Sequence, residues 1–423
     1  MNKKALVLAI GAALAIPYAY AQKGGGKGES ESDPDSVVVL YGKIYPEIVR
    51  EKGKNPTPSS CTIASGCLAT FAQTASGTDP IITRNEMESS NSRLGVRGYE
   101  KLGHGLRATW QLETQFLVDQ NTTNFAQRDS WVGLQQDRWG TIKLGRFDTP
   151  FKEYGDDISF LGISSGNFVS TSSILRLFGI GQGSAARFHE RGVNAVQYES
   201  PDWPLNFKVQ YNTAETDTSL RRRHFWSFGA GYEWGNLKIL AGHEIHWDAF
   251  GLSSNVGTAS MSNASIASAR SKDRASELSV VYKLGIHDLE ADYEWHEWKE
   301  FGQPASTPLS ALGKVGSYKN NSYLLNWQAR WSSRWRTQVH YVHATKGECT
   351  RTFLLAAAPC ITDGLDGSMV SAGVAYYFSR RTYLFFLYQQ LKNGKSAVFA
   401  SGTQAPSTGE DVTQYAVGMH TSF

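Results

Sequence analysis

The stretch Gly105–Glu113, which reads GLRATWQLE, shows the pattern that decides how this chain folds. Its even-numbered positions are apolar, and its odd-numbered positions from Arg107 onward are polar. A repeat of two sends successive side chains to opposite faces of an extended strand. The same repeat recurs in residues 321–331 and 334–340. The alternation therefore predicts β-strands that each have one apolar and one polar face.

The alternation continues through the rest of the chain and predicts sixteen strands. They begin near Val37, Ser92, Gly105, Gln127, Gly140, Arg191, Asn206, Phe225, Leu237, Ala275, Asp288, Asn321, Arg334, Ser368, Arg381 and Val412. Tight turns join pairs of strands at residues 101–104, 137–140, 234–236, 332–333 and 379–380. Long polar connections lie at the opposite ends, notably 49–90, 149–189, 249–273 and 393–411. Strands of about ten residues with this asymmetry of turns and loops are typical of an outer-membrane barrel.

A large soluble β-sandwich is the alternative fold, because its strands also alternate. Aromatic residues at the predicted strand ends favour a membrane barrel, in which aromatic girdles mark both interfaces. These residues are Trp131, Trp139, Trp203, Trp226, Trp234, Trp247 and Trp298. We therefore expect an all-β fold, a 16-stranded antiparallel transmembrane β-barrel. The segment Tyr383–Tyr388 is apolar on both faces, which fits either a subunit contact or a strand that packs under a loop.

The amino-terminal region has a composition unlike the rest of the chain. A basic start, an apolar run and the small residues Ala19 and Ala21 predict a signal peptide over residues 1–21. A short membrane anchor is the alternative, but the apolar run is short for a membrane span. Residues 22–35 are rich in Gly, Ser and charge and predict a flexible segment, which leaves 36–423 as the barrel domain.

The overall charge and hydropathy exclude several functional classes. The formal net charge is only +3, which argues against a nucleic-acid partner held by bulk charge. No later segment contains roughly 18 consecutive apolar residues, so we expect no membrane-spanning helix.

The four cysteines form two close pairs in the sequence, Cys61 with Cys67 and Cys349 with Cys360. Export to an oxidising compartment favours two local disulfides. Zinc binding is the alternative, but neither pair has a histidine at ligand spacing. We therefore expect two disulfides and no metal.

Several segments carry a resemblance to a known family: residues 38–42, 92–103, 128–146, 194–201 and 418–423. In this order they resemble the general porin family of Gram-negative bacteria, in its β-proteobacterial and neisserial branch. The resemblance implies a homotrimer in which the third loop folds into each barrel and narrows the channel. This sequence departs from the family at Tyr45, where an acidic residue is common, and in its long first loop.

Two further partners follow from surface features. Phe423 ends the last strand on its apolar face, and a terminal aromatic residue is what the barrel-assembly machinery recognises. The loop cluster from Arg221 to His224 is expected to be solvated or to contact lipopolysaccharide phosphates.

The polar faces of neighbouring strands are rich in basic residues, which we expect to form one basic wall of the channel. Alternation places Arg93, Arg97, Arg107, Arg128, Lys143 and Arg191 on this wall. Arg146 joins them by the family resemblance, since strict alternation would put it on the face of Leu144. The alternative for each side chain is an ordinary solvated surface position. Charges on a lipid-facing surface cost about 2–4 kcal/mol near the midplane, which favours the lumen.

Acidic residues are available to face this wall across the channel. The predicted third loop carries Glu153, Asp156 and Asp157, and the eleventh strand carries Glu290, Asp292 and Glu294. Opposed charges across a narrow gap would orient dipolar solutes. Because the basic wall is denser, the sequence predicts a mild preference for anions.

The expected function is passive diffusion of small hydrophilic solutes and ions, without a cofactor. A solute-selective channel, a barrel lipase or protease and a barrel adhesin are the alternatives. Gly162–Gly166 matches the G-x-S-x-G nucleophile motif but lies in a Gly/Ser-rich loop rather than a strand–turn–helix. His243 with His246, and His340 with His343, are three apart and on a strand would point to opposite faces.

Overall fold

The alternating segments form one antiparallel sheet that closes on itself. A computed structural model describes residues 35–56, 67, 81–89, 91–120, 125–155, 157–158, 168–175, 179, 188–213, 223–256, 269–301, 314–353, 356–402 and 404–423. Within these residues the sheet has twenty strand segments, and every pairing between named strands is antiparallel. No helix in the described part is long and apolar enough to cross a membrane.

The strands follow one another along the chain in the order in which most of them pair. They are β1 Ser36–Ile44, β2 Glu47–Lys54, β3 Arg84–Glu88, β4 Arg93–Gly103, β5 Leu106–Gln115, β6 Ser130–Gln136, β7 Gly140–Asp148, β8 Arg191–Glu199, β9 Leu205–Thr213, β10 His224–Trp234, β11 Leu237–Trp247, β12 Arg270–Leu284, β13 His287–Phe301, β14 Lys314–Arg330, β15 Trp335–Ala344, β16 Glu348–Phe353, β17 Ala356–Ala358, β18 Gly367–Tyr377, β19 Thr382–Asn393 and β20 Asp411–Ser422. The helical segments are Pro150–Glu153, Thr171–Ser173 and Gly251–Val256.

Twenty segments make sixteen barrel strands because some are parts of one strand or lie outside the ring. β1 and β2 are two halves of one strand, since both pair with β20. β3 and β4 are halves of the next strand, because β3 pairs with β2 and β4 with β1. β16 and β17 form a hairpin on an extension of β14, and β15 pairs directly with β18. The prediction of a closed 16-stranded antiparallel barrel is confirmed.

Most strand starts agree with the alternation within three residues, but β12 begins at Arg270 and β14 at Lys314, well before the predicted Ala275 and Asn321, and these differences lie at the long-loop end. The predicted first loop, 49–90, contains most of β2 and all of β3. β2 does alternate, but its outward side chains Arg50, Lys52 and Lys54 are charged, so the apolar signal for a strand is weak. The β16–β17 hairpin was not predicted, because it lies beyond the barrel strands.

The outward face of the barrel is apolar and carries aromatic residues near both ends. Val132 and Leu144 are 56% and 53% exposed, as expected for side chains that face lipid. At the long-loop end Tyr211 packs on Trp226 with ring centroids 4.8 Å apart, and Trp234 lies at the short-turn end.

Two of the tryptophans predicted for the aromatic girdles lie inside the barrel instead. Trp298 is fully buried in a cluster with Phe188 and Tyr318. Trp131 shares a cavity with the inward side chains Arg97 and Lys143. Their positions near strand ends are correct, but the parity of each strand directs the side chain inward.

The inner side of the last strands is covered by part of the long connection after β7. Phe168 and Val169 pack in one buried cluster with Tyr383, Phe385 and Leu387. The outward neighbours on β19 remain exposed, as the alternation requires. The segment that is apolar on both faces is therefore a strand packed under a loop segment.

The β16–β17 hairpin is closed by a disulfide between Cys349 and Cys360, whose Cα atoms are 5.7 Å apart. Cys67 is also disulfide-bonded, and Cys61 lies outside the described residues. The backbone oxygen of Cys67 accepts a 2.5 Å hydrogen bond from Arg351 of the hairpin. The first loop and this hairpin are therefore in contact.

We expect the double variant Cys349→Ser/Cys360→Ser to weaken the hairpin locally by about 3 kcal/mol, the chain-entropy value for a loop of about this length. Limited proteolysis should then cleave residues 345–366 faster than in the native protein, while the barrel keeps its heat-modifiable mobility on gels. Equal cleavage rates would show that the disulfide does not hold this loop.

Candidate functional site

The inner surface of β4 to β9 is built from rows of cross-strand partners. One row joins Lys101, Arg107, Gln135, Thr141, Glu199 and Lys208, each paired with the next. Another joins Val39, Arg97, Gln111, Trp131 and Gly145. Because partners across a sheet share a face, side chains from the six strands β4 to β9 face one interior space, and those of β4, β5, β8 and β9 in these rows include charged groups.

Most cations on this surface are paired with carboxylates that the sequence analysis did not single out. The Arg128 Nε lies 2.5 Å from the Glu113 carboxylate, and Arg93 lies 3.9 Å from the same carboxylate. Arg191 contacts Asp129 at 2.5 Å and Asp148 at 2.7 Å. At the long-loop end the basic wall is therefore a network in which cations alternate with carboxylates. Its net positive charge is lower than the number of arginines alone indicates.

Arg97 and Arg107 differ from the other cations on this surface. Arg97 lies over the Tyr41 ring at 5.1 Å, and Arg107 lies over the Tyr99 ring at 5.4 Å. Among the residues that the structure describes, neither guanidinium makes an ion pair. Their charge is held by ring faces rather than neutralised by a carboxylate.

Arg146 lies where simple alternation fails. The ladder between β7 and β8 is irregular between Gly145 and Phe147, and Gly145 has a φ of 146°. Parity therefore does not assign the direction of this side chain. The charge of Arg146 interacts with Arg191, Asp129 and Asp148, so Arg146 belongs to the charged network at the long-loop end.

Four more cations were missed by the sequence analysis: Lys43, Lys152, Lys208 and Lys238. Lys208 contacts Glu153 at 2.5 Å and Glu199 at 3.1 Å. Lys238 forms an ion pair with Asp157. The polar parity of Asn206, Lys208, Gln210 and Asn212 on β9 was the signal that could have identified Lys208.

The predicted acidic residues divide into two groups. Glu153 and Asp157 meet the lysines of β9 and β11, and Asp156 lies outside the described residues. Glu290, Asp292 and Glu294 do face inward but are almost fully buried, at 3%, 6% and 0% exposure. They therefore do not border open water across from the basic wall.

Glu290 is covered by the connection that follows β7. Its carboxylate accepts hydrogen bonds from the backbone N–H groups of Asp157 at 2.6 Å and Ile158 at 3.2 Å. The Asn326 side chain donates to the same carboxylate at 3.0 Å and to the Ile158 carbonyl oxygen at 3.1 Å. These contacts attach residues 157–158 to the inner faces of β13 and β14.

The same connection also contacts the inner surface at β9 and β10, next to the basic wall. The Phe151 N–H donates to the Ser227 hydroxyl at 3.0 Å, and the Tyr154 hydroxyl donates to Asn206 at 2.7 Å. Burial raises the pKa of the Glu153 carboxyl, and the neighbouring Lys208 opposes this rise. The described parts of residues 150–175 thus contact inward side chains from β9 to β20.

Two adjoining cavities remain along the basic surface. One of about 930 Å³ is bordered by Glu153, Lys208 and Lys238, and one of about 470 Å³ by Arg97, Trp131 and Lys143. Both are lined in part by Gln135, Thr141 and Glu199. Polar and charged groups beside free volume suit the passage of hydrated solutes.

The remaining candidate motifs do not form a second site in the described part of the chain. His246 faces inward with its ring 2.7 Å from Glu244, whereas His243 contacts Ser276 on the other face. Within the described ranges, no group of three or more His, Cys, Asp or Glu side chains is placed to hold a metal ion. Gly162–Gly166 lies outside those ranges.

Comparisons with known proteins agree on one family. The family model described as Gram-negative porin matches residues 5–396. The major outer membrane protein P.IB of Neisseria gonorrhoeae is 32% identical over 152 residues, which are 36% of this chain and 40% of that protein. An outer membrane porin protein of Bordetella pertussis is 31% identical over 135 residues, which are 30% of this chain and 32% of that protein. The aligned part thus spans two fifths or less of either relative.

Solved structures share the fold. The anion-selective porin from Comamonas acidovorans superposes with a TM-score of 0.66 at 20% identity, covering 92% of this chain and all of that one. The trimer form of OmpT of Vibrio cholerae superposes with a TM-score of 0.58 at 14% identity, again covering 92% of this chain and all of that one.

Proposed function

Because the chain belongs to the Gram-negative porin family and is an integral β-barrel of the outer membrane, we propose that it forms a water-filled channel for passive diffusion. The solutes are small, hydrophilic molecules and ions, and anions pass with a mild preference. The family consists of channel proteins rather than enzymes, and the barrel lipase or protease loses its support for this reason.

One observation carries the anion preference. Arg97 and Arg107 carry positive charge on the inner surface without an ion pair in the described residues, and Arg97 borders the 470 Å³ cavity. The acidic groups that could balance them from the far side, such as Glu290 and Glu294, are buried under other residues. Exposed charge of one sign in a narrow polar passage raises the local concentration of the opposite ion.

We propose that the third loop, the connection from 149 to 189, narrows the channel. The hydrogen bonds of residues 157–158 to Glu290 and the burial of Phe168 against β19 support this proposal. A loop attached to β9 and β10 on one side and to β13 and β19 on the other confines the passage to the side of β4 to β11, where the cavities lie.

Planar-bilayer recordings of the purified protein test this function directly. We expect stable conductance steps that grow with salt concentration, and a reversal potential in a KCl gradient that shows chloride to be the more permeant ion. A reversal potential of the opposite sign would overturn the anion preference. An absence of steps from folded protein would overturn the open channel itself.

The assembly state that we propose is a homotrimer. The outward face of β5 to β7 is aliphatic over Leu112, Val132, Leu134, Ile142 and Leu144, each at least 40% exposed. Such a surface without polar groups can pack against a second copy as well as against lipid. The solved OmpT structure described as a trimer form has the same fold. Crosslinking in detergent should give a three-subunit band.

The proposed partners at the two ends of the barrel differ in chemistry. At the long-loop end the outward side chains Arg50, Lys52 and Lys54 are exposed, and they are the proposed contacts for lipopolysaccharide phosphates; Arg223 is also exposed. At the other end Phe423 pairs with Gly42 through two backbone hydrogen bonds of 3.1 Å and remains 39% exposed for the barrel-assembly machinery. Residues 1–21, outside the described part, are proposed as the signal peptide.

Acidification below neutral pH should increase the anion preference through Glu153, by about threefold once its carboxyl is protonated. Burial raises the pKa of this carboxyl, so protonation begins at a higher pH than for a free glutamate and removes one negative charge beside Lys208. The variant Glu153→Gln should have a stronger anion preference than the native protein at neutral pH and respond less to acid. If native protein and variant show the same pH dependence of reversal potential, Glu153 is not the titrating group.

A further inference from the structure

The inner surface contains a hollow where two small residues lie between larger ones. Tyr99, Thr109, Gly133 and Lys143 are successive cross-strand partners on β4 to β7. Thr109 and Gly133 in the middle leave space between the tyrosine ring and the lysine. Gly133 is required there, because an added Cβ would lie 2.5 Å from the Ile142 carbonyl oxygen.

The rows on either side supply the borders of this hollow. Arg97, Gln111 and Trp131 border it on the side of the long loops, and Gln135 and Thr141 border it on the side of the short turns. Val37 and Val39 complete one edge of the 470 Å³ cavity. This volume falls within the range of about 300–1,000 Å³ that is usual for small-molecule sites.

The hollow combines ring faces with cations of two kinds. The Lys143 ammonium lies 4.4 Å from the Trp131 ring centroid and 2.5 Å from Glu199, so its charge is neutralised. Arg97 has the Tyr41 ring on one side and makes no ion pair in the described part of the chain. A planar guanidinium binds a carboxylate through two parallel hydrogen bonds. The preferred anion-binding group of the hollow is therefore Arg97.

We propose that this hollow is a binding site for aromatic monocarboxylates in transit through the channel. The carboxylate contacts Arg97, and the ring of the solute packs against Tyr99 and Trp131. Aromatic pairs gain more from packing than their buried area alone provides, which favours a flat aromatic ring over a saturated ring of similar size. This inference rests on the proposed channel function, because the solute must reach the inner surface from water.

Two anions of equal charge and similar size separate the contribution of the ring from that of the charge. Benzoate and cyclohexanecarboxylate are each added to protein in a planar bilayer, and the block of chloride current is measured against concentration. We expect benzoate to block at a concentration about fivefold lower than cyclohexanecarboxylate. In the variant Tyr99→Leu/Trp131→Leu the two concentrations should become equal.

The matched control is Trp226→Leu/Tyr323→Leu, which removes two aromatic rings from the outward face. The control should retain the fivefold difference, and each variant is first checked for heat-modifiable mobility as evidence of a folded barrel. Equal block by both anions in the native channel would overturn the aromatic site, as would a fivefold difference that survives in Tyr99→Leu/Trp131→Leu. The chloride preference in a KCl gradient is measured separately, so failure of this site and failure of the channel function are distinguished.

Discussion

We expect that replacing Arg97 and Arg107 together by glutamine lowers the chloride-to-potassium permeability ratio about tenfold, which converts the mild anion preference into a cation preference. A unit charge interacts with an ion about 7 Å away by about 0.6 kcal/mol in water. Screening at about 0.1 M salt roughly halves this energy. Because each charge attracts anions and repels cations, one arginine changes the permeability ratio about threefold. Both side chains lack an ion pair in the described residues, so the change in reversal potential reports the loss of these two charges without rearrangement of a partner carboxylate.

The measurement is the reversal potential of single channels in a KCl gradient. The control Arg334→Gln/Arg380→Gln removes the same charge from exposed residues next to turns on the far side of the barrel, and it should leave the reversal potential unchanged. If the double variant Arg97→Gln/Arg107→Gln keeps the native reversal potential, the selectivity resides elsewhere.

Replacing Glu290 by alanine releases the loop segment at residues 157–158 and increases the single-channel conductance. The carboxylate accepts two backbone N–H groups of this segment and one amide of Asn326. A hydrogen bond contributes about 0.5–1.5 kcal/mol net, so loss of the two backbone hydrogen bonds removes about 1–3 kcal/mol of attachment. A released segment samples positions away from the far inner surface, which should also appear as increased current noise.

A matched control for this variant lies on the same strand. The buried Glu300 also faces inward, but its carboxylate holds Ser253 in a different loop, through a 2.7 Å hydrogen bond from the backbone N–H. Glu300→Ala removes an equivalent buried carboxylate and should leave conductance and noise at native values. Native conductance in a folded Glu290→Ala barrel would contradict a constriction that depends on this anchor.

Alternation in Leu106–Gln115 predicted both the strand and the inward direction of Arg107. A period of two is a local property of the sequence. A slip of the strand by one residue would expose every polar side chain to lipid, so the register of the strand is strongly restricted. For Trp131 on β6, the position near a strand end suggested a girdle, and the pleat directs its ring inward to Lys143. Parity should therefore outweigh distance from the strand end when an aromatic residue is assigned to a membrane interface.

The sequence by itself determined the number of strands, the end of the barrel at which the long loops lie, and the family. These properties follow from the repeat of two and from turn lengths, which neighbouring residues specify. Only the tertiary structure decided which charged groups are paired or buried and which face the channel without a partner. Pairing of Arg191 with Asp129 and Asp148, and coverage of Glu290 by residues 157–158, join segments that are far apart in the chain. Arg128 has a carboxylate partner and Arg97 has none among the described residues. Such pairing depends on distances in space, which alternation along a strand does not encode.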